Sequence, residues 1–212
     1  MARYIGSVCK VSRRVGTDLF LKSFGTRDIS DKCKLKFFPG QHGNKRKKIA
    51  SNYSIQLTAK QMIKYMYGIL EKQFRHLYKK VSNKKGDSGK LLLQLLESRL
   101  DNLVYRMGFA STRAEARQLV THKSIVLSSS NKEHIVSIPS YIVKPGDIIK
   151  IKDKSKTQVR IQCALKLAEK NGFAEWVDVN TKEMTGTFVR YPQRKELPNE
   201  INEQLVIELY SK

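Results

Sequence analysis

The stretch that decides the fold runs Glu97-Ser98-Arg99-Leu100-Asp101-Asn102-Leu103-Val104-Tyr105-Arg106-Met107-Gly108-Phe109 and resumes as Thr112-Arg113-Ala114-Glu115-Ala116-Arg117-Gln118-Leu119-Val120. Leu92, Leu96, Leu100, Leu103 and Met107 recur at three- and four-residue steps, which predicts one helix from about Leu91 to Met107 with Gly108 as its stop. Thr112 and Glu115 have capping-box spacing, so another helix opens there and carries Ala116, Leu119 and Val120 inward. A short glycine-containing turn joins the two into a helical hairpin. Arg99 and Arg106, two turns apart, are then expected at the rim of the leucine stripe. Arg113 and Arg117 share a face of the second helix, with His122 and Lys123 at its end. Four guanidiniums and a lysine are expected to converge. Each arginine fork can bind a phosphate bidentately or stack on a base, and mounting it on packed helices lowers the entropy lost on binding. That chemistry suits structured RNA. The competing reading pairs these arginines with Glu97, Asp101 and Glu115.

Downstream, the β-branched runs Ile125 to Leu127, Ile135 to Ile138 and Ile148 to Ile151 read as strands, with Pro145-Gly146-Asp147 as the turn before the last. Helical spacing returns over Val159 to Lys170, then Trp176 to Val179 and Gly186 to Val189 look like strands. The tail Ile201 to Tyr210 is expected to pack back as a short helix or strand. Upstream, Met62, Ile63, Met66, Ile69, Leu70, Phe74, Leu77 and Val81 form a helical stripe, with Thr58 as N-cap. Its polar side carries Lys60, Lys64, Lys72, Arg75, Lys79 and Lys80, a face with little opposing charge that is expected to meet RNA. Residues 82–89 are a polar loop. Residues 1–50 show no sustained period and are punctuated by glycines among basic residues, so they read as an irregular basic arm that takes its final shape on RNA.

Charge supports the same partner. The 212 residues hold 41 Lys plus Arg against 19 Asp plus Glu, a net charge of +22. Residues 1–90 carry 22 basic and 5 acidic side chains, the remainder 19 and 14, so the anchor is N-terminal. A surface of this kind binds a polyanion by releasing counterions. A membrane is the rival polyanion, but no apolar run approaches the roughly 20 residues that span a bilayer, and the N-terminus lacks a signal-peptide core. A cytoplasmic protein with one or two packed cores is expected.

Catalytic chemistry is hard to place. Gly86-Asp87-Ser88-Gly89-Lys90 lacks the spacing of a phosphate-binding loop and continues with Leu91. His42, His76, His122 and His134 are dispersed without metal-ligand spacing. Cys9, Cys33 and Cys163 are an odd, scattered set that suits a reducing compartment, and Cys163 on an apolar helix reads as core. No enzyme, cofactor or metal is expected.

The quoted stretch resembles the RNA-binding fold named after the bacterial-type small ribosomal subunit protein four. That module also occurs in pseudouridine synthases and tyrosyl-tRNA synthetases, so by itself it implies RNA before ribosome. The rest of the chain decides, because Ala2-Arg3-Tyr4, Arg13-Arg14, Asp18-Leu19-Phe20-Leu21-Lys22, Pro39-Gly40-Gln41-His42-Gly43, Gln61, Tyr67-Gly68 and Glu208-Leu209-Tyr210-Ser211-Lys212 are similar to the same ribosomal family. The resemblance implies an α+β protein with a basic arm (1–50), a helical domain with C-terminal strands and tail (51–96 and 160–212), and an inserted RNA-binding domain of helical hairpin plus short strands (97–159). It implies a non-enzymatic, early-binding assembly protein that grips a helix junction in the five-prime domain of small-subunit ribosomal RNA.

Carried over by position, Arg3, Arg13 and Arg14 become arm contacts, and Arg99, Arg106, Arg113, Arg117 and Lys123 the helical platform. Lys45-Arg46-Lys47-Lys48 matches the family segment beside the channel by which messenger RNA enters, and the C-terminal portion faces small-subunit protein five, an interface tied to decoding accuracy. Lys10, Lys22, Arg75 and His122 complete the expected RNA-binding set. The alternatives are a free RNA chaperone, or an RNA-modifying enzyme carrying the same module. Two departures stand out. Some family members fold the arm around zinc with four cysteines, whereas Cys9 is followed at the paired position by Ser12 and Cys33 is the other nearby thiol, so zinc is not expected. The family's short turn between two strands is replaced by the longer polar loop 128–134.

Overall fold

The computed structural model describes residues 3–23, 29–43, 49–129 and 132–211, and its contacts separate into two units, 1–93 with 198–212 and 94–197. The first unit contains α1 (Val8–Val15), α2 (Ile29–Cys33), α3 (Asn52–Met66) and α4 (Glu71–Ser82), and α5 (Ser88–Glu97) runs across the division. The second contains α6 (Leu100–Arg106), α7 (Arg113–Thr121), β1 (Ile125–Ser129), β2 (Lys132–Ile135), β3 (Ile148–Ile151), the single turn α8 (Asp153–Lys156), α9 (Val159–Asn171), β4 (Val177–Asn180), β5 (Thr185–Phe188) and a 3-10 turn (Arg194–Glu196). Helix α10 (Glu203–Tyr210) returns to the first unit. The class is α+β, as the sequence implied.

In the first unit the stripe expected as one helix is two. The chain turns at Gly68, whose φ of 62° lies in the left-handed region, and the Gly68 and Ile69 N–H groups bond back to the Tyr65 and Lys64 carbonyls. Helix α3 also starts earlier than expected. Ser51 is its cap, accepting the Ser54 N–H at 3.3 Å, while Thr58 lies inside the helix and donates to the Ser54 carbonyl at 2.8 Å. Helix α10 packs on α3, where Gln56 Nε2 donates to Glu208 Oε2 at 2.9 Å, and Tyr210 stacks on Tyr78 with centroids 4.7 Å apart. The basic arm holds more structure than its sequence suggests. Helix α1 buries Val11 and Ser12 and is closed by Gly16 at φ 85°, whose N–H reaches the Ser12 carbonyl.

In the second unit the single helix expected from Leu91 to Met107 breaks at Ser98-Arg99. Arg99 is extended (φ −68°, ψ 139°) and forms an isolated bridge with Ile142. The Leu100 and Asp101 N–H groups bond to the Tyr141 and Pro139 carbonyls, and Ser98 accepts the Val143 N–H. A distant loop thus supplies the partners that helix continuation would otherwise have provided. The same loop explains why the second strand sits at Lys132–Ile135 rather than 135–138: past Ile135 the chain leaves the ladder to bring Pro139 and Tyr141 to the start of α6.

The five strands form one antiparallel sheet ordered β2-β1-β3-β5-β4. Its register places Val126 opposite Ile135, Leu127 opposite Ile149, and Ile148 opposite Thr187. Because β5 pairs with β3, residues 160–197 group with the RNA-binding hairpin, whereas the sequence joined them to the helical domain. Leu103, Met107, Leu119, Leu127, Ile149, Ile161 and Phe188 are buried core side chains of this unit.

Candidate nucleic-acid interface

The geometry of the hairpin begins with its caps. Thr112 Oγ1 accepts the Glu115 N–H at 3.2 Å, and the Glu115 carboxylate accepts from the Ser111 N–H and hydroxyl at 2.9 and 2.7 Å. Gly108 at φ 76° ends α6 where a Cβ would overlap Ala168. The turn is therefore fixed from both sides, and the arginines it carries are aimed inward.

Arg99 is 2 % exposed and makes a two-pronged bridge to Asp101, at 3.1 Å from Nε and 2.7 Å from Nη2. Arg106 grips Glu97 the same way, at 3.0 and 2.8 Å, with the Glu97 side chain fully buried and that of Arg106 20 % exposed. Asn102 links the rows: its Nδ2 donates to Glu97 Oε2 at 2.7 Å, and its Oδ1 accepts Arg113 Nε at 2.8 Å. Arg113 also lies 4.5 Å over the Tyr105 ring, and Arg106 lies 5.3 Å over Trp176. Arg113 and Arg117 are both buried. Of the four guanidiniums expected to converge, Arg106 and Arg113 share one buried polar network through Glu97 and Asn102 across α5, α6 and α7, while Arg99 is paired separately with Asp101. The two-turn stacking of Arg99 and Arg106 fails because the helix breaks between Glu97 and Leu100.

Exposed cations lie beside this network. His122 and Lys123 close α7, with Lys123 held at φ 59° and its N–H on the Val120 carbonyl. The Lys152 N–H bonds to the Ser124 carbonyl at 2.9 Å, which sets exposed Lys152 and Lys154 next to that turn. Sequence reasoning passed over these two lysines. The signal was present in the alternation Lys150, Lys152, Lys154, Lys156, of which Lys150 is paired with Glu133 at 2.6 Å and Lys156 with Asp153 at 2.8 Å.

In the first unit, Arg3, Lys10, Arg14, Lys22 and Arg75 are exposed. Arg13 instead clasps its own chain, donating to the Phe37 and Phe38 carbonyls at 2.9 and 3.1 Å. Lys60, expected on the solvent side, is buried. It donates to Glu71 Oε1 at 2.8 Å and lies 5.6 Å over the Tyr210 ring. Burial pushes the Glu71 carboxyl up, but the Lys60 and Tyr210 hydrogen bonds and the nearby Lys64 outweigh it and hold it below the usual range. Burial and the Glu71 contact raise the Tyr210 phenol far above its ordinary value. Lys45, Arg46, Lys47 and Lys48 lie outside the described residues.

Burial, then the neighbouring Cys9 thiol, pushes Cys33 up to about 11. Among the described residues no group of three or more His, Cys, Asp or Glu is placed to hold a metal ion. Cys163, expected in the core, is exposed, because α9 turns Ile161, Ala164 and Leu165 inward instead. Among the described residues no helix is long and apolar enough to cross a membrane.

Comparison with known proteins gives two family matches. The model described as the ribosomal protein S4/S9 N-terminal domain covers residues 3–97, and the S4 domain covers residues 98–127. Small ribosomal subunit protein uS4 of Thioalkalivibrio sulfidiphilus is 58% identical over 212 residues, the whole of both chains. The proteins of the same name from Chromobacterium violaceum and Halorhodospira halophila are 56% and 55% identical, again over the whole of both chains.

Proposed function

The chain belongs to the family of small ribosomal subunit protein uS4, non-enzymatic RNA-binding proteins of translation, and on that premise we propose that it binds the five-prime domain of small-subunit ribosomal RNA early in assembly. Similarity to uS4 proteins at 55–58% identity over the whole of both chains carries the reading. The exposed Arg3, Lys10, Arg14, Lys22, Arg75, His122 and Lys123 contact RNA phosphates, joined by Lys152 and Lys154. Arg99, Arg106, Arg113 and Arg117 hold the platform rigid, and the partly exposed edge of Arg106 adds a stacking plane. Arg13 shapes the arm that presents its neighbours.

In the assembled subunit, the basic run Lys45-Arg46-Lys47-Lys48 meets messenger RNA where it enters, and the C-terminal portion meets small-subunit protein five, with consequences for accuracy. The place of action is the ribosome in the cytoplasm. The test is binding of the full chain to a five-prime-domain transcript and to an unrelated structured RNA across a salt series. Preference for the first that survives moderate salt is expected. Equal, salt-erased binding to both would reduce the chain to a generic polycation.

A further inference from the structure

The first unit contains a pocket of about 380 Å³ that the ionic surface alone does not explain. Its size falls within the roughly 300–1,000 Å³ of small-molecule sites. Among its lining residues are Tyr4, Lys10, Arg14, Thr58, Gln61 and Tyr65. Lys10 and Arg14 are four apart on α1 and share a face, so two cations border one side. Tyr4 and Tyr65 meet edge to face, centroids 5.3 Å apart and planes at 69°. The Tyr4 ring is held against Gly6, where a Cβ would overlap its hydroxyl and ring carbons. Gln61 Oε1 is buried and has no hydrogen-bond partner among the described residues. A buried, unsatisfied acceptor beside aromatic rings and paired cations is incomplete by itself, since such an oxygen normally has a donor.

We propose that this pocket receives one unstacked nucleotide of the bound RNA, an inference that rests on the RNA-binding reading above. An aromatic ring offers any base a stacking face. Lys10 and Arg14 take the phosphate. The unpartnered Gln61 Oε1 accepts an N–H from the edge of the base, which adenine offers at N6 and uracil at N3. Ribose 5-phosphate satisfies the cations alone and offers no base edge to Oε1.

The test is saturation-transfer NMR of the full-length chain with AMP, UMP and ribose 5-phosphate, run beside the transcript assay above. Expected are AMP and UMP binding about ten-fold tighter than ribose 5-phosphate, and both nucleotides about ten-fold weaker in Gln61→Leu with ribose 5-phosphate unchanged. Lys10→Gln, at an exposed position, is expected to weaken all three ligands alike. Equal transfer to all three, or AMP binding indifferent to both variants, overturns the pocket even if the transcript still binds selectively. Nucleotide binding that exceeds ribose 5-phosphate without transcript preference overturns RNA as the occupant and the reading beneath it, so the two failures are told apart.

Discussion

The arginines of the hairpin act at the scale of single residues as structural charges. Arg99 and Asp101 are both nearly excluded from water, and each is the other's two-pronged partner. Removing one partner strands the other, so Asp101→Ala is expected to lose about 3–5 kcal/mol in urea unfolding. A loss below about 1 kcal/mol would mean Arg99 finds water or another acceptor. Glu71 gives a pH signature. Its carboxyl is held below its ordinary value of 4.5, so the unfolded chain takes up its proton first. The stabilisation is thus present above the ordinary value and lost as pH falls through the folded one. Glu71→Gln is expected to destabilise by about 1 kcal/mol at pH 7, a modest figure because the Glu71 side chain is 44 % exposed. The gap from the parent, read from melting temperatures, should narrow as pH falls below the ordinary value of 4.5. A gap constant with pH would place the effect in packing rather than charge. The competing reading of the sequence named Glu97 and Asp101 as partners of the hairpin arginines, but not which arginine each would take, and nothing in the spacing placed Lys60 with Glu71, because a sequence shows which charges exist but not which carboxylate the fold delivers to each.

At the scale of elements, helix types and approximate positions were legible, while breaks were not. The runs that became β3 and α9 match the expected spans closely because each buries one continuous face. Gly68 and Arg99 broke expected helices since their alternatives involve turns and loop carbonyls remote from any periodic signal. The end of α7 carries a testable conflict between stability and binding. Lys123 sits at φ 59°, a conformation that costs a side-chain-bearing residue about 1 kcal/mol and that glycine adopts freely. Lys123→Gly is therefore expected to raise stability by about 0.5–1 kcal/mol while weakening RNA binding. Thermal melts and transcript titrations of one preparation check both signs. A variant that gains stability with affinity unchanged would remove Lys123 from the interface.

For the whole molecule, a net charge of +22 sets the class of partner and the salt dependence. Lys152→Gln and Lys154→Gln are each expected to lower the slope of log affinity against log salt by about 1, uniformly across RNA sequences. An unaltered slope in either variant would remove that lysine from the phosphate contacts. The sequence by itself determined the helical hairpin with its Thr112–Glu115 cap and the polyanionic class of partner, because periodicity, capping and charge are local or additive properties of the chain, while the α+β class and the ribosomal family followed from its resemblance to known sequences. Tertiary structure alone decided that β3 and β5 would pair, placing residues 160–197 with the hairpin, that Arg99, Arg113 and Arg117 would turn inward, and that Lys152 would stand beside Lys123. Those outcomes depend on buried acceptors and strand partners far away in sequence. An unpaired buried charge or N–H is too costly to leave, so the fold brings the partner, and a linear pattern does not record where that partner comes from.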